Sequence, residues 1–248
     1  MSFVLLPHRL VCLKTTGLEY TQEMAKDSFK ALSRLTKRAL IDDPELNSFL
    51  RPEFPIVAER KKFIRRCLRR MKTRRMLLRA HWYTDIADHQ RKFRGEHDPL
   101  SIIFLVGIAE ALGKRRVGNR KLGSWKAILD FFKNISAQDK KELLKNFQRS
   151  LSPIIRPRLR FSSIVRIFYD IRNAAVHGDD HYSFTLMRSS DKKKYISENY
   201  NKYGVITSAK TGKNRHRQKR VMLDTSLTYQ ELRSIFVRTA LENIKASF

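Results

Sequence analysis

Apolar residues recur at three- and four-residue intervals along most of the chain, the spacing that lines one face of an α-helix. The first such run covers 21–41, where Met24, Phe29, Leu32, Leu35 and Leu40 keep helical spacing until Asp42, Asp43 and Pro44 stop it. Pro52 and Pro55 then mark a connection, which predicts a boundary near residue 57. From Ala58 toward residue 90 the spacing predicts one long helix, with Phe63, Ile64, Cys67, Leu68, Met71 and Leu78 as its apolar stripe. Residues 100–112 are apolar nearly all round, so they are predicted to form a central helix, ended by Gly113. Further helices are predicted over 124–134 and 138–151. Pro153 and Pro157 separate them from a strongly periodic helix over 161–176, closed by Gly178.

The two ends of the chain read differently. Residues 3–6 and 10–13 are short apolar patches, either strands or loosely docked ends. After Gly178, residues 182–187 and 221–223 read as short strands or extended arms around a basic loop. The last helix opens on a capping box, Thr228 with Glu231 three residues on, flanked by Leu227 and Leu232 as a hydrophobic staple, and runs to about Ile244. The predicted fold is all-α: a helical bundle with a small irregular or β insert before the last helix. Residues 1–57 read as an N-terminal helical extension and 58–248 as the main domain, with the basic loop at about 188–220.

Composition adds a partner class. The 248 residues are 42% hydrophobic and 10% aromatic, enough for a buried core and too many for a disordered tail. Lys and Arg number 52 against 24 Asp and Glu, a formal net charge of +28. Such an excess makes the folded state repel itself, and an anionic partner relieves the repulsion. Nucleic acid is the first candidate and an acidic membrane surface the second. The longest near-continuous apolar run, 102–109, is far short of the ~20 residues that span a bilayer, so no membrane segment is expected. The apolar start, Met1 to Leu6, meets Pro7, His8 and Arg9 with no small-residue cleavage site, so no signal peptide is expected. Cys12 and Cys67 form no CxxC pair, and a cytoplasmic location fits best.

Two segments carry most of the charge. Arg60, Lys61, Lys62, Arg65, Arg66, Arg69, Arg70, Lys72, Arg74, Arg75 and Arg79 surround the stripe of the long helix. Lys210, Lys213, Arg215, Arg217, Lys219 and Arg220 lie in the loop before the last helix. Arg65, Arg66, Arg69 and Arg70, with Lys213, Arg215, Arg217, Lys219 and Arg220, are the candidate RNA-backbone contacts; which of the two patches touches RNA stays open. The phosphate-cradling glycine motifs are absent. Gly118 to Ser124 has the glycine spacing of a P-loop without its lysine, which argues against nucleotide hydrolysis.

Two constellations carry candidate chemistry. His81, Asp85 and His89 share one face of a helix, but His81 and His89 lie ~12 Å apart along the axis, too far for one ion. A polar face with a His–Asp hydrogen bond is the expected reading, and no metal or other cofactor is assigned. The second constellation is Arg172, Asn173 and His177, at the end of the strongly periodic helix and just before Gly178. An imidazole can take or deliver a proton near neutrality, and a guanidinium offers permanent charge and a fork of donors to a phosphate. Together they are the two side chains needed to cleave RNA through its own 2′-hydroxyl without metal. At ~100° per residue Arg172 points ~140° from His177, so one copy of the motif on a straight helix does not converge on one phosphate.

Arg172-Asn173-x-x-x-His177 resembles the R-x4-6-H signature of the HEPN superfamily, many members of which are ribonucleases. The flanking Phe168-Tyr169-Asp170-Ile171 and Gly178-Asp179 are similar to that family as well. So are the upstream segments Leu78-Arg79-Ala80-His81-Trp82-Tyr83 and Ile108-Ala109-Glu110-Ala111-Leu112-Gly113. The resemblance covers roughly residues 70–248. It implies a helical bundle that dimerises to bring two motif copies to a composite cleft, which answers the geometric objection. It also implies metal-independent cleavage to a 2′,3′-cyclic phosphate and a 5′-hydroxyl. Carried onto this chain, Arg172 binds phosphate and stabilises the transition state, His177 is general acid or base, and Asn173 orients, with Glu110 as a supporting residue. A toxin or antiviral defence role, with an antitoxin or regulatory partner, follows from the resemblance alone. Where toxins of the family have R-x4-6-H-x-Tyr, Asp179 follows Gly178 here. The alternative is an RNA-binding module of the same fold that does not cut, or a subunit of a larger ribonucleoprotein assembly.

Overall fold

Helices account for most of what the computed structural model describes, which is residues 5–6, 9–10, 35–94, 99–117, 122–149, 160–177, 182–187, 205–208 and 219–248. In chain order they are α1 (35–41), α2 (Pro44–Leu50), α3 (Val57–Leu68), α4 (Met71–Arg94), α5 (Pro99–Val117), α6 (Ser124–Phe131) with a 3-10 turn at Phe132–Asn134, α7 (Ala137–Arg149), α8 (Phe161–His177) and α9 (Tyr229–Lys245). The fold is all-α with a small insert, as the periodicity predicts.

The insert holds a short sheet. Strand β5 (Lys219–Thr228) lies between β3 (Tyr182–Met187), to which it is parallel, and β4 (Val205–Ser208), to which it is antiparallel. Phe184 aligns with Leu223 and Ile206 with Val221. The predicted strand at 221–223 is thus longer than expected, and β4 was not expected. At the N-terminus β1 (Leu5–Leu6) pairs antiparallel with β2 (Arg9–Leu10), so Leu5 and Leu6 of the first patch and Leu10 of the second are in strands, and the rest of both patches lies outside the described residues.

Helix α5 is central because nothing on its inner faces needs water. Ile102, Leu105, Val106, Ile108, Ala109 and Leu112 are all fully buried, and α4, α6, α8 and α9 pack around them. Beneath α5 the core is aromatic. Phe236 of α9 meets Phe131, Phe132 and Phe168 at centroid distances of 6.0, 5.3 and 5.6 Å, and Phe147 meets Phe168 at 5.6 Å. Truncating one such ring to alanine costs ~3–5 kcal/mol through lost burial and the cavity left behind. Leu46, Phe49 and Leu50 of α2 join the same core cluster.

Buried polar groups tie the layers together. Asn243 Nδ2 donates to the Phe131 carbonyl at 2.9 Å and to the Thr239 carbonyl at 2.8 Å, while its Oδ1 accepts from Asn134 at 2.9 Å. Asp88 of α4 accepts from the Tyr229 hydroxyl at 2.8 Å and from Arg233 Nε at 2.9 Å, which fastens α9 across α4. The Thr228–Glu231 capping box is present, and Leu227 and Leu232 beside it are both buried.

Four expectations change. Asp42, Asp43 and Pro44 do stop a helix, but Asp43 also starts one: its Oδ1 accepts from the Leu46 amide at 2.7 Å and opens α2. The long helix from Ala58 is two helices that part at Arg69 and Arg70. Thr73 Oγ1 donates to the Cys67 carbonyl at 2.7 Å and the Arg70 carbonyl at 3.1 Å, capping the end of α3 without glycine or proline. Because the chain turns there, Met71 leaves the predicted stripe and is 58% exposed, while Met76, Leu77 and Ala80 go inside. Finally, Gly113 does not end α5, which continues to Val117. A Cβ on Gly113 would lie 2.0 Å from the Ala127 carbonyl oxygen, so this glycine is where α5 and α6 cross backbone to backbone.

Candidate functional site

The site is built around Arg172, where α8 passes α5 and the first turn of α6. In α8, Ile164, Val165, Phe168 and Ile171 are fully buried, and this face locks the helix onto the core. Arg172 follows directly after Ile171, so its side chain leaves the core edge beside α5. There its Nη2 meets Glu110 Oε2 at 3.1 Å, and its Nη1 donates to Asn173 Oδ1 at 3.0 Å.

Glu110 is the hub of this node. It is the one acid in the apolar run of α5, and its other oxygen accepts from Lys114 Nζ at 2.6 Å and Ser124 Oγ at 2.7 Å. Burial alone would raise its pKa, but the hydrogen bonds from Lys114 and Ser124 and the charge of Arg172 outweigh it and hold the carboxyl below its ordinary value. Glu110 is therefore ionised at neutral pH. Three helices thus converge on one carboxylate that fixes the pose of one guanidinium.

A guanidinium has five N–H donors. Among the described residues Glu110 and Asn173 engage two nitrogens, and the Arg172 side chain keeps 25% of its exposure. It is both oriented and reachable, the condition for receiving an anion. His177 is the last residue of α8, one turn beyond Asn173; its side chain lies outside the described residues, as does Gly178. The node brings together Arg172, Asn173 and Glu110. Lys114 and Ser124 are members that sequence reasoning missed, although a carboxylate inside an apolar run is itself a sign of buried pairing.

The basic patches separate. Arg65 and Arg66 of α3, and Arg69 and Arg70 at the turn into α4, are exposed. Arg66 lies over the Phe248 ring at 4.1 Å. Of the loop, Lys213, Arg215 and Arg217 lie outside the described residues. Lys219 and Arg220 begin β5, where they align with Ser208 and Thr207. His81, Asp85 and His89 part company on α4: His89 Nδ1 stands 3.2 Å from Asp85 Oδ1, whereas His81 meets the edge of Phe49 at 5.4 Å. Among the described residues no group of three potential ligands is placed to hold a metal ion. Cys67 is buried, and desolvation pushes its thiol up to about 12, so it is inert.

A cavity of about 670 Å³ lies elsewhere, between the α2–α3 connection, α7 and α9. Its lining includes Glu53, Asp139, Glu142, Glu231 and Glu242 around Arg238, and it shares no residue with the Arg172 node. Arg238 Nη2 is committed to Asp139 at 2.5 Å. That carboxylate-rich lining suits no polyanion.

No family model matches the chain, and no match was found among curated proteins or solved structures. Among the described residues no helix is long and apolar enough to cross a membrane.

Proposed function

We propose that this chain is a HEPN-type endoribonuclease that cleaves RNA without a metal ion, as a cytoplasmic homodimer. The observation that carries the reading is the Arg172 guanidinium, oriented by Glu110 and Asn173 yet still open to solvent five residues before His177. In the proposed reaction the RNA 2′-oxygen forms a new bond to its neighbouring phosphorus and the P–O5′ bond breaks. One imidazole takes the 2′-hydroxyl proton, and the His177 of the second protomer returns one to the leaving 5′-oxygen. Arg172 donates to the phosphate oxygens as their charge rises. The products are a 2′,3′-cyclic phosphate and a 5′-hydroxyl. A toxin or antiviral defence role, restrained by an antitoxin or regulatory partner, accompanies this reading.

The exposed cations of α3 and α4 support a second reading, an RNA-binding module that holds its ligand intact. One experiment separates the two. The nuclease reading expects purified protein to cut single-stranded RNA in excess EDTA, and His177→Ala to abolish cutting while leaving the helical circular-dichroism signal unchanged. RNA that is bound but left whole by the wild type supports the binding module instead.

A further inference from the structure

Among the described residues one aromatic side chain stands in solvent. Trp82 of α4 is 57% exposed, while the other Phe, Tyr and Trp side chains whose burial is described are buried or half-buried. Its neighbours on that face are cations. Counting ~100° per residue, Arg75, Arg79 and Trp82 fall within an arc of ~60°, and Met71 continues the same face one turn earlier. Arg75 and Arg79 are exposed and meet no carboxylate among the described residues. Asp85, the acid closest in sequence on the C-terminal side, is paired with His89.

The indole is braced from behind. Its ring lies 5.0 Å from that of Tyr83, tilted by 53°. Tyr83 in turn rests on α5 at Gly107, where an added Cβ would come within 3.1 Å of its Cε1. Gly107 thus makes room for Tyr83, and Tyr83 backs Trp82. One helical turn further along α5 is Glu110, the residue that holds Arg172. Gly107, on which Tyr83 rests, thus lies ~4.5 Å along the α5 axis from the position of the hub carboxylate.

We propose that the Arg75–Arg79–Trp82 face of α4 is a docking platform for single-stranded RNA, with an unpaired base stacked on the Trp82 indole and the adjoining phosphates held by Arg75 and Arg79. Charge complementarity selects the partner: a chain of net charge +28 presents two arginines without carboxylates at this face. The indole selects the strandedness. In a duplex both faces of each base are covered by their neighbours, whereas an unstacked base offers its π-face to an aromatic side chain. Arg75 and Arg79 interrupt the apolar surface between Met71 and Trp82, so the face lacks the continuous stripe that sinks a helix into a membrane surface. The inference rests on RNA as the partner, but not on cleavage.

The chain has two tryptophans, Trp82 and Trp125. Trp125→Phe therefore leaves Trp82 as the sole reporter, and His177→Ala in the same chain keeps the RNA whole. Titrating this protein with oligouridylate is expected to quench its emission, and the matching oligouridylate–oligoadenylate duplex to quench it far less. Trp82→Ala is expected to weaken oligouridylate binding about 10-fold without changing its salt dependence, and Trp82→Phe to retain most of the affinity. Arg75→Gln with Arg79→Gln is expected to reduce the log–log salt slope by about 1.4. Equal quenching by the duplex, unchanged affinity of Trp82→Ala, or quenching by phosphatidylserine vesicles but not by RNA would each overturn the proposal. So would a change from dimer to monomer in Trp82→Ala by light scattering, which would mark the indole as a protein interface. Quenching by RNA that wild-type protein never cuts keeps this platform and removes the nuclease reading; cutting without quenching does the reverse.

Discussion

Arg172 on α8 and Arg75 on α4 are the same side chain in opposite surroundings. Arg172 is held by Glu110 and Asn173 with a quarter of its surface open. Arg75 is exposed and meets no carboxylate among the described residues. In a chain with 52 basic residues and 24 acidic ones, most cations have no acid to pair with. The positions where an acid is present are therefore informative. Asp130 pins Arg116 at the α5–α6 crossing, Asp88 pins Arg233 between α4 and α9, and Asp139 pins Arg238 between α7 and α9. Those three pairs join elements of the bundle. Glu110–Arg172 does the same; exposure does not set it apart, since the Arg116 and Arg238 side chains keep 27% and 37% against 25% for Arg172, but its cation sits beside Asn173 on the helix that ends at His177.

The difference is sharpest in catalysis. On the proposed mechanism, replacing Arg172 by alanine would remove an oriented donor to the developing phosphate charge and is expected to slow single-turnover cleavage about 100- to 1,000-fold. Arg75→Ala, measured at saturating RNA, is expected to slow it less than about 3-fold, because on the proposed platform that cation would contribute binding rather than transition-state contact. Equal losses in the two variants would erase the distinction drawn here.

Stability separates the same classes. Asp130 is nearly buried and receives Arg116 and Lys133, whose hydrogen bonds and charges hold its carboxyl low against the opposing effect of burial. Asp130→Ala leaves Arg116 without its partner and is expected to cost about 1–3 kcal/mol in urea unfolding. A smaller effect belongs to Glu110. Its folded carboxyl titrates below the ordinary value, so its contribution is complete above about pH 4.3 and is lost as pH falls through the folded pKa. The melting-temperature gap between wild type and Glu110→Gln is expected to be constant from pH 6 to 8 and to close below about 4.3. Neutralising Arg65, Arg69 and Arg70 together by glutamine is expected to change stability by less than about 0.5 kcal/mol while lowering the RNA salt slope by about 2.

The bundle was largely legible in the sequence because buried helices write their period into it. Residues 161–176 match α8, and the Thr228–Glu231 box marks the start of α9. What escaped has physical causes. The break between α3 and α4 uses no helix breaker; Thr73 caps it with a side chain that reads as an ordinary interior residue. Gly113 reads as a stop because its partner at the crossing, Ala127, is distant in sequence and ordinary in type. For the site, Arg172 and Asn173 are legible as a motif, and Glu110 is reached only through the family resemblance. Ser124 is not legible, since a serine at a helix start suggests a cap rather than a bond to a carboxylate on another helix. The exposure of Trp82 was also hidden, because it depends on the chain turning at Arg69 and Arg70.

The central claim is that Arg172 and His177 act on an internal attack by the RNA itself. Its most direct test is a short oligoribonucleotide cut at one position, compared in EDTA with the same oligomer carrying a single 2′-deoxy sugar immediately 5′ of the cut. The account predicts cleavage of the first to a 2′,3′-cyclic phosphate and no cleavage of the second. Equal cleavage of both, or a product ending in a free 3′-hydroxyl, would contradict it.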